Sequence, residues 1–542
     1  MNRNANSSSA KSNLFNTLIV MASTFLSRIL GFVRNAVIAA IFSDKGPADP
    51  INFVFMIPNT FRKVTAEGGL STAFIPVISK TLEEEKDKKR ADILAQNILG
   101  LQALILIPLI GISMIFSEQI IRFIYHPEGP AAAEQILQAI ELFRFFIWYL
   151  LLISMAALMM GVLNSENKFF IPAMTPNLFS VMVISALLLL TESLWIHAMS
   201  VGILIGGMAQ IVFQYPQYRS LGYHFRFRLD FNNKDFQKVL SKWLPSIGIA
   251  LAFILAQFIS SIIAATIEDG SITAMQNALL FYNLPRGLFS ISIATVFFPK
   301  MARFRAKGDL DNLSHTYFQG LGLLSAFMIP SAVALFFLGN DVIATVLLRG
   351  AFSPEGVLRA NSLLTYYALG LFSLGAFNFI QRFFFSLGKY KTPFAIASIT
   401  MVVDVVLSLI LTGILDLGFK DIILKWNLGA SALAISNSIA FTIGFLAALI
   451  LTIPHIDFKN LGDFLITFLK VLLACIPLGL GLFFYREWRG DAWQNGASLE
   501  NILHLIGVGV FGMGLVFGLY LLMRVDVLSI LRRKDSNENE EK

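Results

Sequence analysis

Charge is scarce in this 542-residue chain, with Asp, Glu, Lys and Arg together making up 14% of it, against roughly 25% in soluble proteins. That shortage excludes the three or four soluble domains that its length alone would suggest. Cysteine is nearly absent: the one thiol, Cys475, lies in the apolar run 471–475 and reads as a small buried hydrophobe, so no intramolecular disulfide is possible. The six histidines (126, 197, 224, 315, 455 and 504) are scattered and have no metal-ligand spacing. No glycine-rich phosphate loop occurs, which argues against ATP hydrolysis by this chain. No sizeable outer loop carries the acidic residues that a membrane glycosyltransferase needs. The polar start, Asn2 to Ser12, runs into an apolar stretch without a small-residue cleavage site, which predicts an uncleaved first span rather than a signal peptide.

What is present is apolar surface. The chain is 56% hydrophobic, its mean hydropathy is +0.69, and apolar stretches of about 20 residues, each able to cross a bilayer core, recur along it. Short polar turns separate them, so the expected fold is an all-α integral membrane protein rather than a barrel. About 14 spans are expected, including 13–42, 50–79, 134–163, 243–267, 360–388 and 392–413. Placing the N-terminus inside puts 26 Lys or Arg on inner segments and 8 on outer ones, which predicts both termini in the cytoplasm. The same asymmetry accounts for the net charge of +7 without nucleic acid. Loop 216–242 is the longest inner connection. Its six Lys and Arg read either as a topology signal or as a docking site for anionic head groups.

A short internal repeat accompanies this pattern. Ser71 to Pro76 (STAFIP) is echoed by Ala294 to Pro299 (ATVFFP) at an offset of 223, and Ser165 and Pro172 by Ser386 and Pro393 at 221. The expected organisation is an N-terminal six-helix lobe (1–229), a C-terminal six-helix lobe (230–453), two additional spans (454–525) and a polar cytoplasmic tail (526–542). Repeated halves of this kind typify transporters, with a substrate site between them.

The intramembrane charges point to the substrate. Arg28 lies about 15 residues into the first span, near mid-bilayer at 1.5 Å per residue, and Arg34 follows it. The second span carries Arg62, Lys63 and Glu67. An unpaired charge at mid-helix costs about 2.5–3.5 kcal/mol. The arginines therefore line an aqueous cavity for an anion, or pair internally with Asp49 or Glu67. Arg286, directly after Pro285, offers a further cation, and guanidinium forks suit the oxygens of a polyphosphate. Arg144 and Glu141 read as a local pair. Asp404, amid Met401 to Leu407, reads either as a protonated structural residue or as part of a Na⁺ or H⁺ coupling site, with Ser436 and Asn437 as oxygen partners.

Three blocks, Ser27 to Arg34 (SRILGFVR), Ile57 to Arg62 (IPNTFR) and Ala66 to Pro76 (AEGGLSTAFIP), closely resemble the N-terminal signature of the MurJ (MviN) family. Leu347 to Phe352 and Lys391 to Pro393 resemble further family motifs, so the resemblance spans nearly the whole chain. These proteins are lipid II flippases of peptidoglycan synthesis, in the superfamily that also holds MATE exporters and polysaccharide flippases. The resemblance implies 14 helices around a cationic central cavity, with the last two flanking a groove for the polyprenyl chain. It makes Arg28, Arg34 and Arg62 functional arginines and Asp49 an outer-end acidic residue, and it places Asn59 and Glu67 at motif positions. The chain departs from the pattern at Asn35, where many members have Asp, and around Ile263, where acidic residues are missing. It departs also at Leu280, which aligns with the family's cavity arginine six residues before Arg286.

The function implied is translocation of the undecaprenyl-diphosphate-linked disaccharide-peptide, lipid II, from the inner to the outer leaflet of the bacterial cytoplasmic membrane. It would serve cell wall synthesis without enzymatic turnover or a cofactor, with Na⁺ or H⁺ coupling and other cell-wall synthesis proteins as partners. A MATE-like or polysaccharide-precursor exporter of the same fold, a membrane enzyme acting on lipid-linked sugars and a scaffold for envelope assembly are the alternatives.

Overall fold

The computed structural model describes residues 2–62, 69–83, 87–416, 418, 425–426 and 428–525. The described residues are helical apart from turns and connections. The chain folds as two compact units, Met1–Ile272 and Thr273–Lys542.

The first unit contains α1 (Asn2–Phe42), α2 (Ala48–Arg62), α3 (Gly69–Glu83), α4 (Lys88–Ile115), the short α5 (Ser117–Ile124), α6 (Ala132–Ser165), α7 (Phe170–Leu194), α8 (His197–Ser220) and α9 (Lys234–Ala265). The long α6 is its centre, packed by α2, α4 and α8, while α7 bridges α1 and α8. Small residues permit these close packings. A Cβ on Gly202 would press on Val183 and Ala186, and one on Gly206 on the ring of Phe179. α9 packs on α3, and Phe236, Val239 and Trp243 of α9 join a buried cluster with Phe74, Leu94 and Met159.

Polar contacts fasten one end of this unit. Asn233 caps α9 by accepting from the N–H groups of Asp235 and Phe236, both at 3.0 Å. The Arg90 guanidinium forks onto the Asp235 carboxylate, with Nη2 at 2.9 Å from Oδ1. That guanidinium, with Lys238 beside it, holds the buried Asp235 carboxyl below the usual carboxylate range against the opposing effect of burial. Asp92 accepts from the His224 backbone N–H at 2.8 Å and meets its ring at 2.9 Å.

The second unit contains most of α10 (Ser271–Pro285), then α11 (Ile291–Lys307), α12 (Leu310–Leu347), α13 (Pro354–Leu369), α14 (Leu371–Ser386), α15 (Lys391–Leu411), α16 (Ser431–Thr452), α17 (Leu461–Arg489) and α18 (Leu499–Leu522). α10 and α11 join through a π-helical turn, Arg286–Ser290. The 38-residue α12 is the hub, contacting α11, α13, α14 and α17. α13 and α14 bend by 50° at Gly370, where an added Cβ would lie 2.6 Å from the Ser438 hydroxyl of α16. Tyr520 of α18 donates to the Ala326 carbonyl of α12 at 2.8 Å, and Arg489 of α17 pairs with Glu500 of α18 at 3.1 Å, tying the last two helices to the unit.

Eleven helices among the described residues are long and apolar enough to cross a membrane, or twelve with the bent pair α13–α14 taken as one span. The expected count of 14 is thus not reached among the described residues. The expected spans 50–79 and 243–267, which match α2 with α3 and α9, include positions 63–68 and the side chains of 244–256, outside the described ones. The local pair expected of Arg144 and Glu141 does not form. Arg144 Nε donates instead to the Ser117 hydroxyl at 2.8 Å, and Glu141 faces His197 at 3.4 Å. Chain proximity in α6 was outweighed by partners that α5 and α8 bring.

Candidate functional site

α1 changes character along its length. From Ala36 to Phe42 it buries Ala36, Ile38, Ala39 and Phe42, whereas between Ala22 and Asn35 only Ser23 is buried. Ser23 docks on α7, donating to Met174 Sδ at 3.2 Å. Arg28 and Arg34 both sit on the less buried stretch, and both are half-buried. The Arg34 guanidinium carbon stands 5.8 Å from the Phe55 ring centroid and 5.7 Å from that of Phe179. These two rings stack at 6.3 Å with 11° between their planes, and Tyr149 packs against Phe179 at 5.0 Å. An aromatic face attracts a guanidinium most strongly where water is displaced. Arg28 has no ion pair with a carboxylate among the described residues.

The remaining first-unit positions distribute as follows. Asn59 lies half-buried on α2, four residues beyond Phe55. Arg62 is the last residue of α2, with its side chain outside the described ones, and Glu67 lies outside the described residues altogether.

Asp49 occupies a different place, in the first turn of α2, buried and 2.8 Å from the Gly270 backbone N–H that it accepts from. The reverse contact mirrors it: the Gly46 N–H donates to Asp269 Oδ1 at 2.9 Å. Gln135 closes the pair, donating to the same Asp269 oxygen at 2.6 Å and to the Gly46 carbonyl at 3.0 Å. Both glycines have positive φ, +65° and +91°, a conformation that costs an L-residue its Cβ clearance. The clasp joins the α1–α2 connection to the α9–α10 connection. Burial raises the Tyr125 phenol above its ordinary range, and the charges of Asp49 and Asp269 beside it add to the shift.

In the second unit Arg286 opens the π-helical turn and is half-buried. Its Nη1 donates to Asn283 Oδ1 at 3.3 Å, and its buried Nε has no hydrogen-bond partner among the described residues. Six residues from Leu280 amounts to about 240° round a helix at 100° per residue, so the two positions lie on different faces. Asp404 is buried on α15 and accepts from Asn437 Nδ2 of α16 at 2.8 Å. Its other oxygen, together with Thr400 Oγ1 and Ser408 Oγ one turn to either side, has no hydrogen-bond partner among the described residues. The Tyr282 and Tyr367 rings pack at 5.2 Å with 33° between their planes. Ser436, by contrast, turns to its own helix and donates to the Ala432 carbonyl. Among the described residues no group of three or more His, Cys, Asp or Glu is disposed to hold a metal ion.

The structure brings Asp404 to Asn437, through the amide Nδ2 as donor rather than through the oxygen expected beside a cation. The aromatic support of Arg34 is not legible in the sequence. Phe55 and Phe179 are two of 50 phenylalanines, and nothing in their local pattern marks them.

The sequence matches the profile of the family described as lipid II flippase MurJ over residues 38–504. A probable lipid II flippase MurJ from Borreliella burgdorferi is 29% identical over 96% of this chain and 98% of its own length. Another from Rickettsia prowazekii is 27% identical over 94% and 98%. Among solved structures, lipid II flippase MurJ in an inward closed conformation superimposes with a TM-score of 0.74 at 26% identity, covering 95% of this chain and 100% of that one. An inward-facing MATE family multidrug resistance transporter of the MOP superfamily shares the fold, with a TM-score of 0.64 at 14% identity over 80% of this chain. With a profile match across most of its length, this multi-pass membrane chain belongs to the lipid II flippase MurJ family.

Proposed function

We propose that this chain carries lipid II from the inner to the outer leaflet of the bacterial cytoplasmic membrane, with Arg28, Arg34 and Arg62 receiving the diphosphate. The observation that carries this reading is the pair of arginines on the sparsely buried stretch of an apolar helix, one of them braced on two aromatic faces. A cation placed there costs about 2.5–3.5 kcal/mol unless an anion or water offsets it. A diphosphate is such an anion, and it accepts several forked hydrogen bonds at once. Its polyprenyl tail stays in hydrocarbon while the disaccharide-peptide follows the arginines. Both termini lie in the cytoplasm, and no bond of the substrate is made or broken.

Within the second unit, Arg286 is a further candidate for binding an anion. Asp404, with one carboxylate oxygen and two neighbouring hydroxyls available, is the candidate for Na⁺ or H⁺ coupling. Potential coupling adds about 2.3 kcal/mol per charge for each 100 mV. In liposomes holding fluorescent lipid II, translocation should be lost in Arg28→Ala and in Arg34→Ala, with the substrate chemically intact. Normal translocation by an Arg28, Arg34 and Arg62 triple alanine variant would refute the mechanism. A multidrug exporter of the same fold predicts tolerance of these changes.

A further inference from the structure

The connection between α8 and α9 is an extended strap bound along α4. The Arg228 N–H donates to the Gln96 carbonyl at 3.3 Å, and the Asp230 N–H to Asn97 Oδ1 at 2.7 Å. Gly100 is what lets the strap lie so close, because a Cβ there would collide with the Arg228 carbonyl. Side chains of an extended segment alternate, yet this one hides few of them. Phe227, Leu229 and Phe231 are 56%, 42% and 52% exposed, although all three are large and apolar. Phe227 and Leu229 form, with Gly100, Leu104, Ile107 and Pro108 of α4, an apolar groove of about 350 Å³. Leu104 and Ile107 are themselves exposed on this spanning helix, so the groove continues its lipid-facing side. Counting back about 20 residues from Ile115 at the far end of α4 puts the inner edge of the hydrocarbon near Gln96. The strap therefore crosses α4 where acyl chains meet head groups. Irregular backbone does not face lipid within the hydrocarbon core, and here two of the strap's N–H groups are taken up by α4. Arg226 and Arg228, both exposed, flank Phe227. Arg226 has no ion pair among the described residues, and Arg228 has only Asp230 at 3.7 Å.

We propose that this strap is a binding site for an anionic phospholipid of the inner leaflet, with the phosphate head on Arg226 and Arg228 and an acyl chain in the groove beneath Phe227 and Leu229. Apolar side chains beside basic ones match the two ends of such a lipid. The assignment rests on the inner placement of this connection, not on what the protein transports.

The test uses the full chain in detergent and measures binding of phosphatidylglycerol and phosphatidylcholine by native mass spectrometry, with melting temperature as the control on folding. The wild type should prefer phosphatidylglycerol, and added salt should weaken the preference. Arg226→Gln should reduce phosphatidylglycerol binding about fivefold, and the Arg226→Gln, Arg228→Gln pair about 25-fold, with phosphatidylcholine binding unchanged. Phe227→Ser with Leu229→Ser should weaken both lipids. Competition by inorganic phosphate alone at millimolar concentration would assign the site to free phosphate and overturn the lipid proposal. Equal binding of the two lipids by the wild type, or undiminished phosphatidylglycerol binding by folded Arg226→Gln, would also overturn it. Absence of lipid II translocation by the wild-type chain, in a preparation that still binds phosphatidylglycerol, would count against the transport reading only.

Discussion

Arg34 shows how two aromatic rings hold one guanidinium in place. Its guanidinium carbon lies 5.8 Å and 5.7 Å from the Phe55 and Phe179 ring centroids, and a lysine preserves the charge but not the delocalised, forked donor group. Arg34→Lys is therefore expected to lower the apparent affinity for lipid II about tenfold, or about 1.4 kcal/mol, in a detergent binding titration. Unchanged affinity would remove the aromatic brace from the mechanism. Asp235 offers a stability test. Its carboxyl is held low by Arg90, so its contribution is complete above the unfolded carboxylate value near about 3.9 and fades as pH falls through the lower folded value. Asp235→Asn should cost about 1.5–3 kcal/mol at neutral pH. It should also flatten the acid limb of the melting temperature plotted against pH, and an unaltered acid limb would show that other groups set it.

At the scale of elements, breaks in helices matter as much as the helices. The expected span 360–388 is two helices bent by 50° at Gly370, where the Ser438 Cα would be 2.7 Å from an added Cβ. Gly370→Ala should push α16 away at a cost of about 1–3 kcal/mol, read as a lower melting temperature with helix content retained. The π-helical turn at Arg286 is a second break, and Arg286 stands 223 residues after Lys63, the repeat offset already visible between Ser71 and Ala294. Short motifs expose such a correspondence. They do not reveal the extra residue per turn, which depends on packing around Ser290, whose hydroxyl donates to the Gly375 carbonyl of α14.

At the scale of the molecule, the clasp of Asp49, Gly270, Gly46, Asp269 and Gln135 joins connections more than 200 residues apart. Asp49→Ala leaves the Gly270 N–H without that acceptor, and should destabilise the protein by about 1–3 kcal/mol. A melting temperature equal to the wild type would show the clasp to be dispensable. Directionality is also a whole-molecule property. Asp404→Asn should make translocation in liposomes insensitive to an imposed Na⁺ or H⁺ gradient, and an undiminished response would place coupling elsewhere.

Membrane embedding, the helical class and the presence of arginines within the apolar spans were written into the sequence by itself. Hydropathy acts over windows of about 20 residues, and a mid-span arginine is costly wherever the helix packs. The signature blocks from Ser27 to Pro76 likewise carried the family assignment, because such motifs are local. Tertiary structure alone decided partners. Arg144 chose Ser117 over Glu141, and Asp49 took a backbone N–H of a distant loop. Arg34 found two rings from α2 and α7, and the basic connection after α8 was laid as a strap on α4 by the missing Cβ of Gly100. The physical reason is shared: contacts between helices depend on distance and direction across the fold, and neighbouring residues along the chain encode neither.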